Sequence, residues 1–168
     1  MRAAAIGVRV LALALVAGLL ALLVYHFTAR NSSTNGLRLA VIWPAGTSRT
    51  LSMSSLRGRP TVLNFWASWC GPCKREAGLL RERAQATRGR IAFVGLDVHD
   101  STSDARGFLR HYGITYTVVK ASETAISAYG IVNLPETIYL DARGRVVART
   151  VGEVTARALT ANLSRLGA

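Results

Sequence analysis

NFWASWCGPCKRE, from Asn64 to Glu76, sets two cysteines two residues apart, between an apolar run and a basic, helix-forming one. The chain holds no other cysteine. Upstream, TVLNFW (Thr61 to Trp66) is apolar, β-branched and aromatic and follows the turn Arg57-Gly58-Arg59-Pro60, so it reads as a buried strand. Downstream, Cys73 to Arg88 has helical character. If the helix begins at Gly71 or Pro72, Cys70 sits at its N-terminal end, where unpaired N–H groups and the helix dipole favour a thiolate over a thiol. Pro72 suits the first turn because it donates no hydrogen bond and its φ is preset. Cys73 then lies about one turn further in, within reach of a mixed disulfide formed on Cys70. The spacing therefore makes Cys70 the nucleophile and Cys73 the resolving thiol.

Other uses of the pair fit less well. A zinc site would need a second cysteine pair, and His26, His99 and His111 show no ligand spacing. A purely structural disulfide across so short a loop removes little chain entropy and staples nothing distant. Reversible redox chemistry remains. A Cu(I) site of two thiolates is a competing, non-enzymatic reading, opposed by the lack of a Met or His beside the pair.

Outward from this stretch, strand and helix alternate. LRLAVIW (37–43) and RTLSM (49–53) read as two short strands around Pro44-Ala45-Gly46. IAFVGLDV, Ile91 to Val98, is a second buried strand, and Thr102 to His111 a helix with Ser101 or Ser103 as its cap. TYTVVK precedes another helix near Ser122 to Tyr129. ETIYLD and RVVARTV flank Ala142-Arg143-Gly144 as a hairpin, and Val154 to Leu166 closes the chain as an amphipathic helix. This is an α/β domain around one sheet with a hairpin at its edge.

At 168 residues, half of them apolar, the chain can bury one sizeable core. Its N-terminus lies outside that core. From Val10 to Ala29 run twenty residues without Lys, Arg, Asp or Glu, about what a helix needs to cross a hydrocarbon layer of roughly 30 Å. The run continues through Tyr25 and Phe27 without a small-x-small cleavage site, which favours an uncleaved anchor over a cleaved signal. Arg2 and Arg9 would stay cytoplasmic, against the weaker pull of Arg30. The expected organisation is an anchor at 1–30, a polar linker at 31–36 (NSSTNG) and a domain at 37–168. The chain is then expected to cross a membrane once, with the C-terminal domain on the extracytoplasmic side. The net charge of +12 comes largely from arginines scattered without a dense run or interleaved aromatics. That describes a solvated basic surface rather than a nucleic-acid site.

Phe65 to Lys74, FWASWCGPCK, resembles the active site of thioredoxins, and the resemblance extends over nearly all of Leu37 to Ala168. Within that superfamily the chain is most similar to the membrane-tethered extracytoplasmic reductases of the TlpA, ResA and CcmG (DsbE) type. The features carrying this are the anchor, LNFWASWCGPCKRE, the extra helix and strand around Ser101 to Lys120, and IVNLPETIYLDARGRVV. The resemblance implies a thioredoxin-like fold: a central mixed sheet flanked by helices, with an N-terminal strand pair and a central helix–strand insertion, preceded by one transmembrane helix.

It also implies roles. Ordinary thioredoxins carry a buried Asp where this chain has Asn64, an amide that cannot take a proton. The resemblance places an acid, Glu76, near the thiols instead; the alternative is a first-turn glutamate that merely favours the helix dipole. Pro135 is expected to be cis and to shape the groove opposite the disulfide, with the backbone of Leu134 offered to substrate like an added strand. Glu136, in P-E-T, would add an acid near the site. Trp69 would shield the thiols, although for Trp66 and Trp69 alike core packing is the alternative. The implied catalytic residues are thus Cys70, Cys73 and Glu76. Trp69, Gly71, Pro72, Leu134, Pro135 and Glu136 face the substrate, with no metal and no cofactor beyond the Cys70–Cys73 disulfide.

The activity implied is thiol–disulfide exchange, with a disulfide-containing protein such as an apocytochrome c as the substrate to be reduced. A membrane electron carrier of the CcdA or DsbD type would recharge the dithiol. The runner-up is an extracytoplasmic oxidant that introduces disulfides.

Overall fold

The computed structural model describes residues 13–23, 25, 36–44, 49–87 and 89–167. The chain divides into two compact units, Met1–Ser33 and Thr34–Ala168. In the first, residues 13–23 form a helix, α1. Among the described residues no helix is long and apolar enough to cross a membrane. The flanking arginines Arg2, Arg9 and Arg30, the tether at 31–35 and most of the turn after Pro44 lie outside the described residues.

The second unit is built on a seven-stranded mixed sheet of order β2-β1-β5-β4-β3-β6-β7. Its strands are β1 (Arg38–Trp43), β2 (Thr50–Ser52), β3 (Thr61–Trp66), β4 (Ala92–Asp97), β5 (Thr117–Lys120), β6 (Glu136–Leu140) and β7 (Val146–Val151). The helices are α2 (Gly71–Ala86), α3 (Thr102–His111), α4 (Glu123–Tyr129) and α5 (Ala156–Arg165). Strands β3, β4 and β5 run parallel, joined through α2 and α3, because parallel neighbours need a long crossover and helices supply it. The short-linked pairs β1/β2 and β6/β7 are antiparallel, as is β6 on β3. β3 is therefore central, and every one of its residues is buried.

Period-two alternation divides β3 between two layers. Leu63 and Phe65 join one core with Val94, Leu96, Ile138 and Tyr129. Val62 packs with Leu80 of α2 and Leu159 and Leu163 of α5, while Trp66 packs with Cys70, Cys73 and Ala77. Asn64 shares the parity of Val62 and Trp66 and so faces α2. The indole of Trp66 stacks on Phe108 with ring centroids 4.4 Å apart. Gly95 of β4 makes room for it: a Cβ there would lie 2.9 Å from Trp66 Nε1 and 3.0 Å from Val118 Cγ2.

Most expected elements stand within a residue or two. α3 has the expected bounds and is capped by Ser101, whose Oγ accepts the Asp104 N–H at 3.1 Å. The last helix corrects the reading: Val154 continues the apolar periodicity, but Thr155 is the N-cap and α5 begins at Ala156. Val154 lies before the helix, and its backbone N–H serves the site described next.

Candidate active site

α2 begins where the sequence requires. Cys70 is its N-cap, with extended backbone, and its Sγ accepts the Cys73 N–H at 3.2 Å; Pro72 occupies the first turn. The two sulfurs are bonded at 2.00 Å, and both cysteines are buried. The approach to Cys70 is held from the end of β4: Asp100 accepts both the backbone N–H and the hydroxyl of Ser68, the latter at 2.7 Å. Of the two tryptophans next to the cysteines, Trp66 is core and Trp69 is 62% exposed, which removes core packing as the reason for Trp69.

Glu76 is 2% exposed and lies in the second turn of α2, along the stripe that carries Cys73, Ala77 and Leu80. No acidic residue occupies the first turn, so Glu76 is not a dipole-capping carboxylate. Asn64 donates one amide hydrogen to Glu76 Oε1 at 2.8 Å and the other to Thr137 Oγ1 at 3.1 Å. The Val154 N–H donates to Glu76 Oε2 at 2.7 Å. Burial lifts the Glu76 pKa to about 7 against the pull of these two donors, with a further push from the charge of Glu153. The result is a carboxylate poised to exchange a proton near neutral pH, one helical turn from Cys73.

The Leu134–Pro135 peptide is cis, as expected of this proline; Trp43–Pro44 is cis as well, which nothing in the sequence indicated. Leu134 packs against the cluster that contains Cys70 and Cys73, and the Pro135 carbonyl accepts the Gly152 N–H at 2.9 Å. Trp69, Val98, Ile126, Ile131, Val132 and Leu134 line an open, largely apolar groove of about 410 Å³, with His99 and Asn133 beside them. Glu136 is 2% exposed and its carboxylate is committed to an ion pair with Arg149, so it is not a free acid of the groove.

A second polar network was not foreseen. Asp97, fully buried at the end of β4, accepts from Lys120 Nζ at 2.8 Å, and the same ammonium donates to the Asp100 carbonyl. Burial raises the Asp97 pKa to about 6 despite Lys120, with Asp100 adding to the rise. Among the described residues its Oδ1 has no hydrogen-bond partner. Asp97 and Lys120 are opposite each other in the β4/β5 register, a pairing that only the sheet creates. Thr137, Val154 and Arg149 escaped for the same reason: each reaches the site from more than seventy residues away or across a strand pair, leaving no local signal.

A redox-active cysteine pair at the N-terminus of a helix, following the central strand of a thioredoxin-like sheet, defines a thiol–disulfide oxidoreductase. The chain belongs to the AhpC/TSA family, whose model matches residues 39–149. It is 32% identical over 126 residues to the thiol:disulfide interchange protein HelX of Rhodobacter capsulatus, covering 73% of this chain and 70% of that protein. It is 27% identical over 120 residues to the thiol-disulfide oxidoreductase ResA of Bacillus anthracis, covering 70% and 69%. Among solved structures, a DsbF homologue from Corynebacterium diphtheriae superposes with a TM-score of 0.69 at 29% identity over 79% of this chain and 85% of that one. Mycobacterium tuberculosis DsbF shares the fold with a TM-score of 0.72 at 23% identity, over 80% and 97%.

Proposed function

We propose that this oxidoreductase works as a reductant of protein disulfides outside the cytoplasm, tethered by its N-terminal apolar segment, with an apocytochrome c as the substrate class. The observation that carries the direction is the site itself. Gly71-Pro72 puts no charge or imidazole donor beside Cys70, so the thiolate gains less stabilisation than in a strong oxidant, and the dithiol gives up its electrons more readily. The twenty uncharged residues from Val10 to Ala29 support the tether, the likeness to HelX and ResA supports thiol–disulfide exchange as the activity, and the resemblance of LNFWASWCGPCKRE and IVNLPETIYLDARGRVV to the CcmG type suggests the substrate class.

In this reading the Cys70 thiolate attacks one sulfur of the substrate disulfide. A mixed disulfide forms and the first substrate thiolate leaves. Cys73 loses its proton to the Glu76 carboxylate and attacks Cys70 Sγ. The second substrate thiol is released, and Cys70–Cys73 remains as the disulfide. Two electrons have passed to the substrate with no cofactor beyond this pair, and a membrane electron carrier of the CcdA or DsbD type restores the dithiol. The substrate chain lies along the Leu134 backbone, with an apolar side chain in the groove beside Trp69.

A membrane-impermeant thiol reagent applied to intact cells tests compartment and direction together. The expected result is labelling of both cysteines without prior reduction. Labelling that needs lysis would place the domain in the cytoplasm, and labelling that needs a reductant would favour the oxidant.

A further inference from the structure

We infer that Arg149 is a positioning residue for substrate, gripping the groove-forming loop 131–135 at both of its ends. The loop joins α4 to β6 without regular structure and supplies Ile131, Val132 and Leu134 to the groove. At its start, the Arg149 guanidinium donates to the carbonyl of Tyr129 and, at 3.4 Å, to that of Gly130, the left-handed residue that ends α4. At its finish, the same guanidinium pairs with Glu136, the residue after the cis proline.

One planar fork thus spans the two anchor points of a five-residue loop, which a lysine's single ammonium cannot reproduce. Arg149 reaches this place from β7, across the strand pair, with its side chain 36% exposed and its partner Glu136 buried. The inference rests on the reading that the groove holds substrate.

The test uses the full chain in detergent, as wild type, Arg149→Lys, Arg149→Met and the double variant Arg149→Met/Glu136→Gln. The double variant removes the buried, unpaired carboxylate that would otherwise threaten folding. Two readouts are taken: amide hydrogen exchange of residues 131–134, and reduction of two disulfides, a synthetic disulfide-closed Cys-x-x-Cys peptide with apolar neighbours and glutathione disulfide.

Loss of Arg149 is expected to speed exchange in the loop. It should lower kcat/KM for the peptide roughly ten- to a hundredfold, with glutathione disulfide changed less than about twofold and Arg149→Lys intermediate. Unchanged loop exchange in the double variant overturns the inference. Equal losses on both disulfides overturn it too, since they would mean damage to the thiols. Faster exchange with unchanged peptide turnover would show that the groove does not hold substrate. That outcome rejects the positioning role and leaves the thiol chemistry intact.

Discussion

Glu76 takes hydrogen bonds from Asn64 and Val154, yet loss of solvent outweighs both and holds its pKa near 7. Because the folded-state value is raised from 4.5, the stabilising, protonated form is fully present below about pH 4.5 and is lost as pH rises to about 7. A shift of that size is on the order of 3 kcal/mol. Asp97 acts in the same direction up to about pH 6, so the difference between wild type and Glu76→Gln isolates the Glu76 contribution. Denaturant titrations of the oxidised protein are predicted to show wild-type stability declining across pH 4.5–7 more steeply than the variant's. In kinetics, Glu76→Gln should slow disulfide reduction by roughly a hundredfold and erase the inflection near pH 7. An unchanged pH–rate profile would remove Glu76 from the proton path. The two sulfurs divide the work by position: Cys73→Ser should accumulate mixed disulfides through Cys70, detected as adducts that a reductant releases. Trapping by Cys70→Ser instead would reverse the roles.

At the scale of elements, what could be read in the sequence was what local chemistry writes there. Pro72 and the cysteine spacing mark the start of α2, Ser101 was one of two serines expected to cap α3, and Ala142-Arg143-Gly144 marks the β6/β7 hairpin. The misplaced start of α5 is instructive. Apolar periodicity runs through Val154, but the Thr155 Oγ1 bond to the Ala158 N–H at 3.2 Å fixes the boundary, and Val154 is thereby free to serve Glu76. Sheet order and cross-strand polar pairs were illegible, since Lys120 on Asp97 and Arg149 on Glu136 exist only once the strands are in register. The tight crossing of β4 under Trp66 gives an element-level prediction. Gly95→Ala should cost about 1–3 kcal/mol by overpacking against the indole and Val118, read as a lower denaturation midpoint. A neutral result would mean that Trp66 and Phe108 shift freely, and the rigid floor beneath the cysteine turn would be lost.

For the molecule as a whole, the open question is the direction in which electrons flow, because one fold serves reductants and oxidants and the difference lies in how well the Cys70 thiolate is stabilised. Two features pull in opposite senses. Gly71-Pro72 leaves the helix N-terminus without an added donor, whereas the basic surface of residues 37–168, +9 once Arg2, Arg9 and Arg30 are taken from the chain's +12, favours a thiolate. Lys74 and Arg75 follow Cys73 on α2, and of these two Arg75 is partly spent, its Nε donating to Glu153 at 2.6 Å. Each pKa unit of thiolate stabilisation corresponds to about 1.4 kcal/mol, or for two electrons on the order of 30 mV, so a few units separate the two roles. The reduction potential of the Cys70–Cys73 pair, from equilibration with graded glutathione buffers and trapping by alkylation, is therefore the most direct measurement. The account predicts a value near or below about −200 mV, and a value near about −120 mV, that of strong oxidants, would contradict it.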